Sequence, residues 1–181
     1  PEAEDCGEDL NGGCNSDPPA FEAVDCGATI CGTQFADGGT RDTDWFSITT
    51  TSDLNTIEVT TEAEFPVRPG FLTDGNGNFA NPTCDWGFHF GFDLDACEQA
   101  TLQLEAVPAG EFWFLPLIDD GSPIFEGYPC GGGFNDYFFT VECISLECDD
   151  LLICFPPTPI EEDPDCGSGT TDAYNGGCDA P

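Results

Sequence analysis

The chain has no lysine and no methionine, a single histidine, and two arginines against 36 acidic residues, for a formal net charge of −34. Phosphate binding runs through Lys and Arg, so a nucleic acid or an anionic membrane would be repelled. No run of about 18 apolar residues occurs, so no membrane insertion is expected. There is no Cys-x-x-Cys pair, and the lone His89 sits between Phe88 and Phe90. Structural zinc, which wants paired Cys or Cys/His at short spacing, is therefore not expected. Every asparagine fails the Asn-x-Ser/Thr pattern. The chain begins at Pro1 with no signal-peptide pattern, which reads as a processed product or a segment of something longer.

What is present is acid and cysteine. Twelve cysteines, an even count, predict disulfides and a secreted, extracellular protein. Sequence does not fix the pairing. The simplest expectation is local: Cys6–Cys14, Cys26–Cys31, Cys84–Cys97, Cys130–Cys143, Cys148–Cys154 and Cys166–Cys178. Carboxylates without basic partners repel each other, and a divalent cation relieves that repulsion. Calcium, hard and oxygen-seeking, is the expected one. The alternative is a solvated acidic surface that serves solubility.

Four segments follow from the pattern. Residues 1–40 form a cysteine-rich opening segment, with a tight Asn11-Gly12-Gly13-Cys14 turn. Residues 41–144 form the body. Its two-residue alternation predicts strands at Trp45–Thr49, Thr56–Thr60, Phe65–Thr73, Trp86–Phe92, around Leu102–Ala106, Glu111–Ile118 and Asp136–Cys143. Pro66 and Pro69 would mark the third as an edge or bulged strand. Glu111–Ile118 is apolar on both faces, which predicts a central strand. No stretch shows a convincing helical period, so the fold class is all-β, a sandwich with stapled loop segments at both ends. Residues 145–160 hold a cysteine loop and a Pro-rich spacer.

Residues 161–181 are a second copy of the opening motif. Glu162-Asp163-Pro164-Asp165-Cys166-Gly167 restates Glu2-Ala3-Glu4-Asp5-Cys6-Gly7 at an offset of 160, and Asn175-Gly176-Gly177-Cys178 restates Asn11-Gly12-Gly13-Cys14 at an offset of 164. The motif occurs twice and the body once. If the first copy packs on its own body, the second has none. Either the polypeptide continues into another repeat, or a neighbouring subunit supplies the surface. Both give head-to-tail arrays. A separately stapled tail with no partner is the bland alternative.

The order of the motifs adds a family resemblance. Cys31-Gly32-Thr33, Arg41-Asp42-Thr43-Asp44-Trp45-Phe46, Pro108-Ala109-Gly110-Glu111-Phe112-Trp113-Phe114 and Asn135-Asp136-Tyr137-Phe138-Phe139-Thr140-Val141 resemble the bacterial pre-peptidase C-terminal domain, in the cysteine-rich form found in large secreted repeat proteins. The resemblance covers residues 26–143 and implies a jelly-roll-like, non-catalytic, secreted module, sometimes calcium-bound. The turn Ala109-Gly110-Glu111-Phe112 departs from that family's Gly-Thr-Tyr form.

Candidate site residues fall into three groups. Asp42 and Asp44 flank Thr43 and would share one side of a strand, with Asn135 and Asp136 completing an oxygen cage for calcium. Asp74-x-Asn76-x-Asn78 matches the first three ligand positions of an EF-hand loop, but Phe79 and Asp85 stand where that loop needs Gly and Glu. Trp45, Trp86 and Trp113 would stack on sugars if they shared an exposed face; core burial is the usual alternative. A serine triad would need His89, and nothing singles out a carboxylate pair, so no enzyme is expected. The expected function is an extracellular structural protein, the subunit of a head-to-tail filament or surface array whose partner is itself. The alternative is a carbohydrate-binding or adhesion module that takes glycans.

Overall fold

The computed structural model describes residues 6–8, 10–51, 55–118 and 126–145. The chain divides into two units, Pro1–Ser145 and Leu146–Pro181, and all described residues lie in the first. The predicted cysteine loop, Pro-rich spacer and second motif copy lie outside them, as do Cys148–Cys154 and Cys166–Cys178.

Among the described residues there are eleven strands and no helix. In chain order they are β1 (Glu22–Val24), β2 (Thr29–Thr33), β3 (Ala36–Asp37), β4 (Thr40–Arg41), β5 (Phe46–Thr50), β6 (Asn55–Ala63), β7 (Val67–Asp74), β8 (Trp86–Phe90), β9 (Ala100–Val107), β10 (Gly110–Ile118) and β11 (Asp136–Ser145). One sheet runs β1-β5-β10-β7-β8 and the other β2-β11-β6-β9, while β3 and β4 pair alone. Apart from β1, which joins β5 in parallel, the pairings are antiparallel, and from β5 onward the chain crosses between the sheets at every connection except β7–β8, a jelly-roll-like sandwich. Two strands of the main sheets, β1 and β2, come from residues predicted to be opening segment, so the sandwich starts well before residue 41.

Alternation explains most of the elements. In β6 the residues Ile57, Val59 and Ala63 point inward while Glu58, Thr60 and Glu62 point out. The two sheets meet through aromatic rings. Phe139 of β11 lies 4.7 Å from Phe46 and 5.1 Å from Phe114, both on the opposite sheet. All three are completely buried. In β9, Leu102 and Leu104 face inward as predicted, but Ala106 does not. The register slips between Asn55 and Ile57, Ala106 takes a positive φ of 52°, and Val107 fills the core instead.

The doubly apolar β10 is central, as its sequence predicts. It pairs with β5 over Gly110–Phe114 and with β7 over Phe114–Ile118. Phe112 and Phe114 enter the core between the sheets, while Trp113, Leu115 and Leu117 form a second cluster with Trp45 and Leu72. The proline expectation is corrected. β7 is an interior strand, with Pro69 directly opposite Pro116. The Pro69 carbonyl turns the other way and accepts from Gly91 N at 3.3 Å. Antiparallel ladders alternate between bonded and non-bonded pairs, and two prolines facing at a non-bonded pair lose no ladder bond.

The disulfide expectation is also corrected. Among the described residues the bridges are Cys6–Cys130, Cys14–Cys84 and Cys26–Cys143, at sequence separations of 124, 70 and 117. Cys31 and Cys97 are free and exposed. The predicted Cys6–Cys14, Cys26–Cys31, Cys84–Cys97 and Cys130–Cys143 do not form, because the fold pairs at least one cysteine of each with a partner distant in sequence. Linking residues far apart removes more unfolded-chain entropy, about 4–5 kcal/mol per loop of this size against about 2–3 for an eight-residue one in the chain-entropy account.

Candidate functional site

The outer face of the five-stranded sheet carries the most distinctive arrangement. Trp113 and Trp45 stand on it with ring centroids 6.4 Å apart. Phe21 stacks on Trp113 at 4.3 Å and meets Trp45 edge-on at 5.9 Å. Glu111 accepts from the Trp113 indole N–H at 3.0 Å and from the Ser47 hydroxyl at 2.7 Å, which satisfies the indole's one donor.

Residues 11–21 of the opening segment lie across this face. Its backbone brackets Trp45: Trp45 N donates to Asn11 O at 3.0 Å, and Glu22 N donates to Trp45 O at 3.0 Å. Gly13 lies flat on the indole. A Cβ there would fall 2.0 Å from Trp45 Cδ2, and φ is +55°. Only glycine fits such a position. The turn is closed by Gly13 N to Ala20 O at 2.7 Å, and Asn15 Nδ2 donates to Thr43 Oγ1 at 3.1 Å. Two bridges then fasten the segment to the body, Cys14–Cys84 and Cys6–Cys130. This explains the second apolar face of β10: a third layer covers it.

The same layer removes the tryptophan platform. Trp45 is 1% and Trp113 7% exposed, so neither presents a face to a sugar. They are the second core. The Trp86 side chain lies outside what the structure describes, as does that of His89.

Asp42 and Asp44 lie between β4 and β5 rather than within a strand. Asp42 N donates to Phe35 O at 3.0 Å, and Asp42 Oδ1 accepts from Thr43 N at 2.9 Å. Asp44 is fully buried and Asp42 nearly so. Asn11 is also buried, and its side-chain amide makes no hydrogen bond within the described residues. Asn135 is placed differently. Its Nδ2 donates to Gln34 O at 2.8 Å and Tyr128 O at 3.1 Å, tying two loops together. Asp136 opens β11, where its N–H donates to Glu64 Oε2 at 3.4 Å. Among the described residues no group of three or more His, Cys, Asp or Glu side chains is gathered around one point.

Asp74, Asn76 and Asn78 do come together, in a loop closed on itself. Asp74 Oδ1 accepts from Asn76 N and Asn78 N, each at 2.8 Å, and Oδ2 accepts from Asn78 Nδ2 at 2.9 Å. The Asn78 side chain first, then the backbone N–H groups, hold the Asp74 carboxyl at about 2, against an ordinary 3.8.

One buried polar residue had no sequence signal. Gln34 is completely buried. Its Nε2 donates to Pro116 O, and its Oε1 accepts from Ile118 N at 3.0 Å. It stands in for the missing strand where β5 has ended and β10 continues. A lone Gln in a Thr-Gln-Phe stretch carries no periodicity that would reveal this.

No family model matches the sequence, and no curated protein matches it. Among solved structures, the pre-peptidase C-terminal domain of a collagenase from Bacillus anthracis aligns at 14% identity over 67% of this chain and 94% of that one, with a TM-score of 0.36. A superposition that loose carries no argument. The sandwich rests on its own ladders and core contacts.

Proposed function

We propose that this chain is an extracellular structural protein, the repeating subunit of a head-to-tail filament or surface array. One observation supports the reading above others: the opening motif is a docking element. It covers the outer face of a sheet and is fastened by two bridges, and the sequence repeats it at 161–181, after the body. Disulfides of this kind belong to an oxidising compartment, in keeping with a secreted, cell-surface array. The carbohydrate-binding alternative drew on three tryptophans, and two of them are interior.

Calcium is part of the proposal. The carboxylates of Asp42 and Asp44 are hard oxygen donors in a buried place, which suits that ion. With a net charge of −34, bound calcium would offset repulsion within and between subunits. The experiment is negative-stain imaging of native, non-reduced protein before and after a calcium chelator. Filaments that fray on chelation are expected. Filaments indifferent to it would remove calcium from the reading, and compact single particles in both conditions would overturn the filament.

A further inference from the structure

We propose that residues 161–181 of one copy occupy, on a second copy, the seat that the opening motif fills on its own body, with Cys166 joined to Cys130 and Cys178 to Cys84 of that second copy. This rests on the head-to-tail reading and names the contact that would make it.

The seat is demanding, and its demands can be read one residue at a time. It needs a cysteine opposite Cys130, followed by a residue able to hold φ +92° with a Cβ position 3.3 Å from Cys130 Sγ, which is Gly7. It needs a carbonyl on Trp45 N and a side chain that fits a buried place, which is Asn11. It needs no Cβ over the Trp45 indole, which is Gly13, and then a cysteine opposite Cys84. The second motif supplies this set in the same order: Cys166, Gly167, Asn175, Gly177 and Cys178.

The two copies differ in length between Gly7 and Asn11, where Glu8 and Leu10 are exposed. The cysteine spacing is 8 residues in the first copy and 12 in the second. The extra length falls in this exposed interval, where a longer loop is tolerated at small entropic cost.

Each body has one seat, already filled by its own motif, so occupation from outside is an exchange. The thiolate of Cys178 attacks Cys84 Sγ. The Cys14–Cys84 bond breaks, the Cys84–Cys178 bond forms, and Cys14 leaves as a thiolate that takes up the proton Cys178 lost. Cys166 displaces Cys6 from Cys130 in the same way. The number of disulfides is unchanged and no oxidant is consumed. The attacked residues, Cys84 and Cys130, are both exposed, whereas Cys14 and Cys6 are half-buried. Phe21 and β1 keep their places, because the displaced stretch ends before Pro18-Pro19.

The test uses the full chain in two isotopic forms, light and heavy, mixed before assembly, digested without reduction and read by mass spectrometry. The expected products are Cys84–Cys178 and Cys130–Cys166 linked peptides that pair one light and one heavy partner, and Gly177→Val should abolish the first of them. Isotopically pure links would put the tail on its own body and overturn the proposal, as would a Cys166–Cys178 peptide. Imaging the same sample separates the two readings. Filaments without these linked peptides overturn this contact and leave the filament standing. Mixed-isotope links in compact particles uphold the contact and overturn the filament.

Discussion

The two faces of the five-stranded sheet are buried by different means. The inner face packs on another sheet, through rings and branched side chains placed by alternation along regular strands. The outer face is covered by a segment with little regular structure, held by a glycine against an indole, backbone bonds to Trp45 and two long-range bridges. The inner face is secured by the area it buries, since apolar surface removed from water contributes about 25 cal/mol per Å². The outer layer is too short to bury comparable area, and covalent links take over that role. A layer held in this way is separable from what it covers, which is the property a transferable docking element needs.

That contrast can be broken from either side. The largest effect should come from Phe139→Ala. The ring touches Phe46, Phe114 and Tyr137, and its loss should cost about 4 kcal/mol and unfold both faces together in urea. Replacing Cys14 and Cys84 together by Ser should cost about 4 kcal/mol. Here the loss should concentrate in the outer layer, with tryptophan emission moving red before the strands melt. A coincident transition would show the two faces to be one unit. Gly13→Ala should cost about 2 kcal/mol through overlap with the Trp45 ring, with the same red shift and an intact far-UV spectrum.

The smallest effect lies away from both faces. The Asp74 carboxyl is held at about 2 in the folded chain, below its value in the unfolded one. Its contribution is therefore present above about pH 4 and lost as pH falls through 2. Asn78→Ala removes the strongest donor and should move the Asp74 titration, followed by NMR, back toward 3.8. No change would mean the loop is not closed as described.

The two faces also differ in how legible they are in sequence. Strands β5, β6, β10 and β11 follow from alternation, and the centrality of β10 follows from having no polar face. The agent that buries its outer side does not, because Asn-Gly-Gly-Cys reads as a turn until Trp45 is seen beneath it. Disulfide partners are equally hidden. Cys14 and Cys84 meet only because β5, β7 and β10 are neighbours, a fact of topology rather than spacing. Asp42 and Asp44 stand out by composition, yet their burial depends on connections outside any strand. Pro69 misleads for a related reason: a missing N–H marks an edge only where the ladder needs that bond.

The most direct measurement is amide hydrogen exchange on the full chain, oxidised and then gently reduced. The account predicts that on reduction residues 10–22 and the Trp45 amide lose protection, while the amides of β6 and β11 keep theirs. Simultaneous loss in both sets, or retained protection at Trp45, would contradict the claim that the outer layer is a separately fastened docking element.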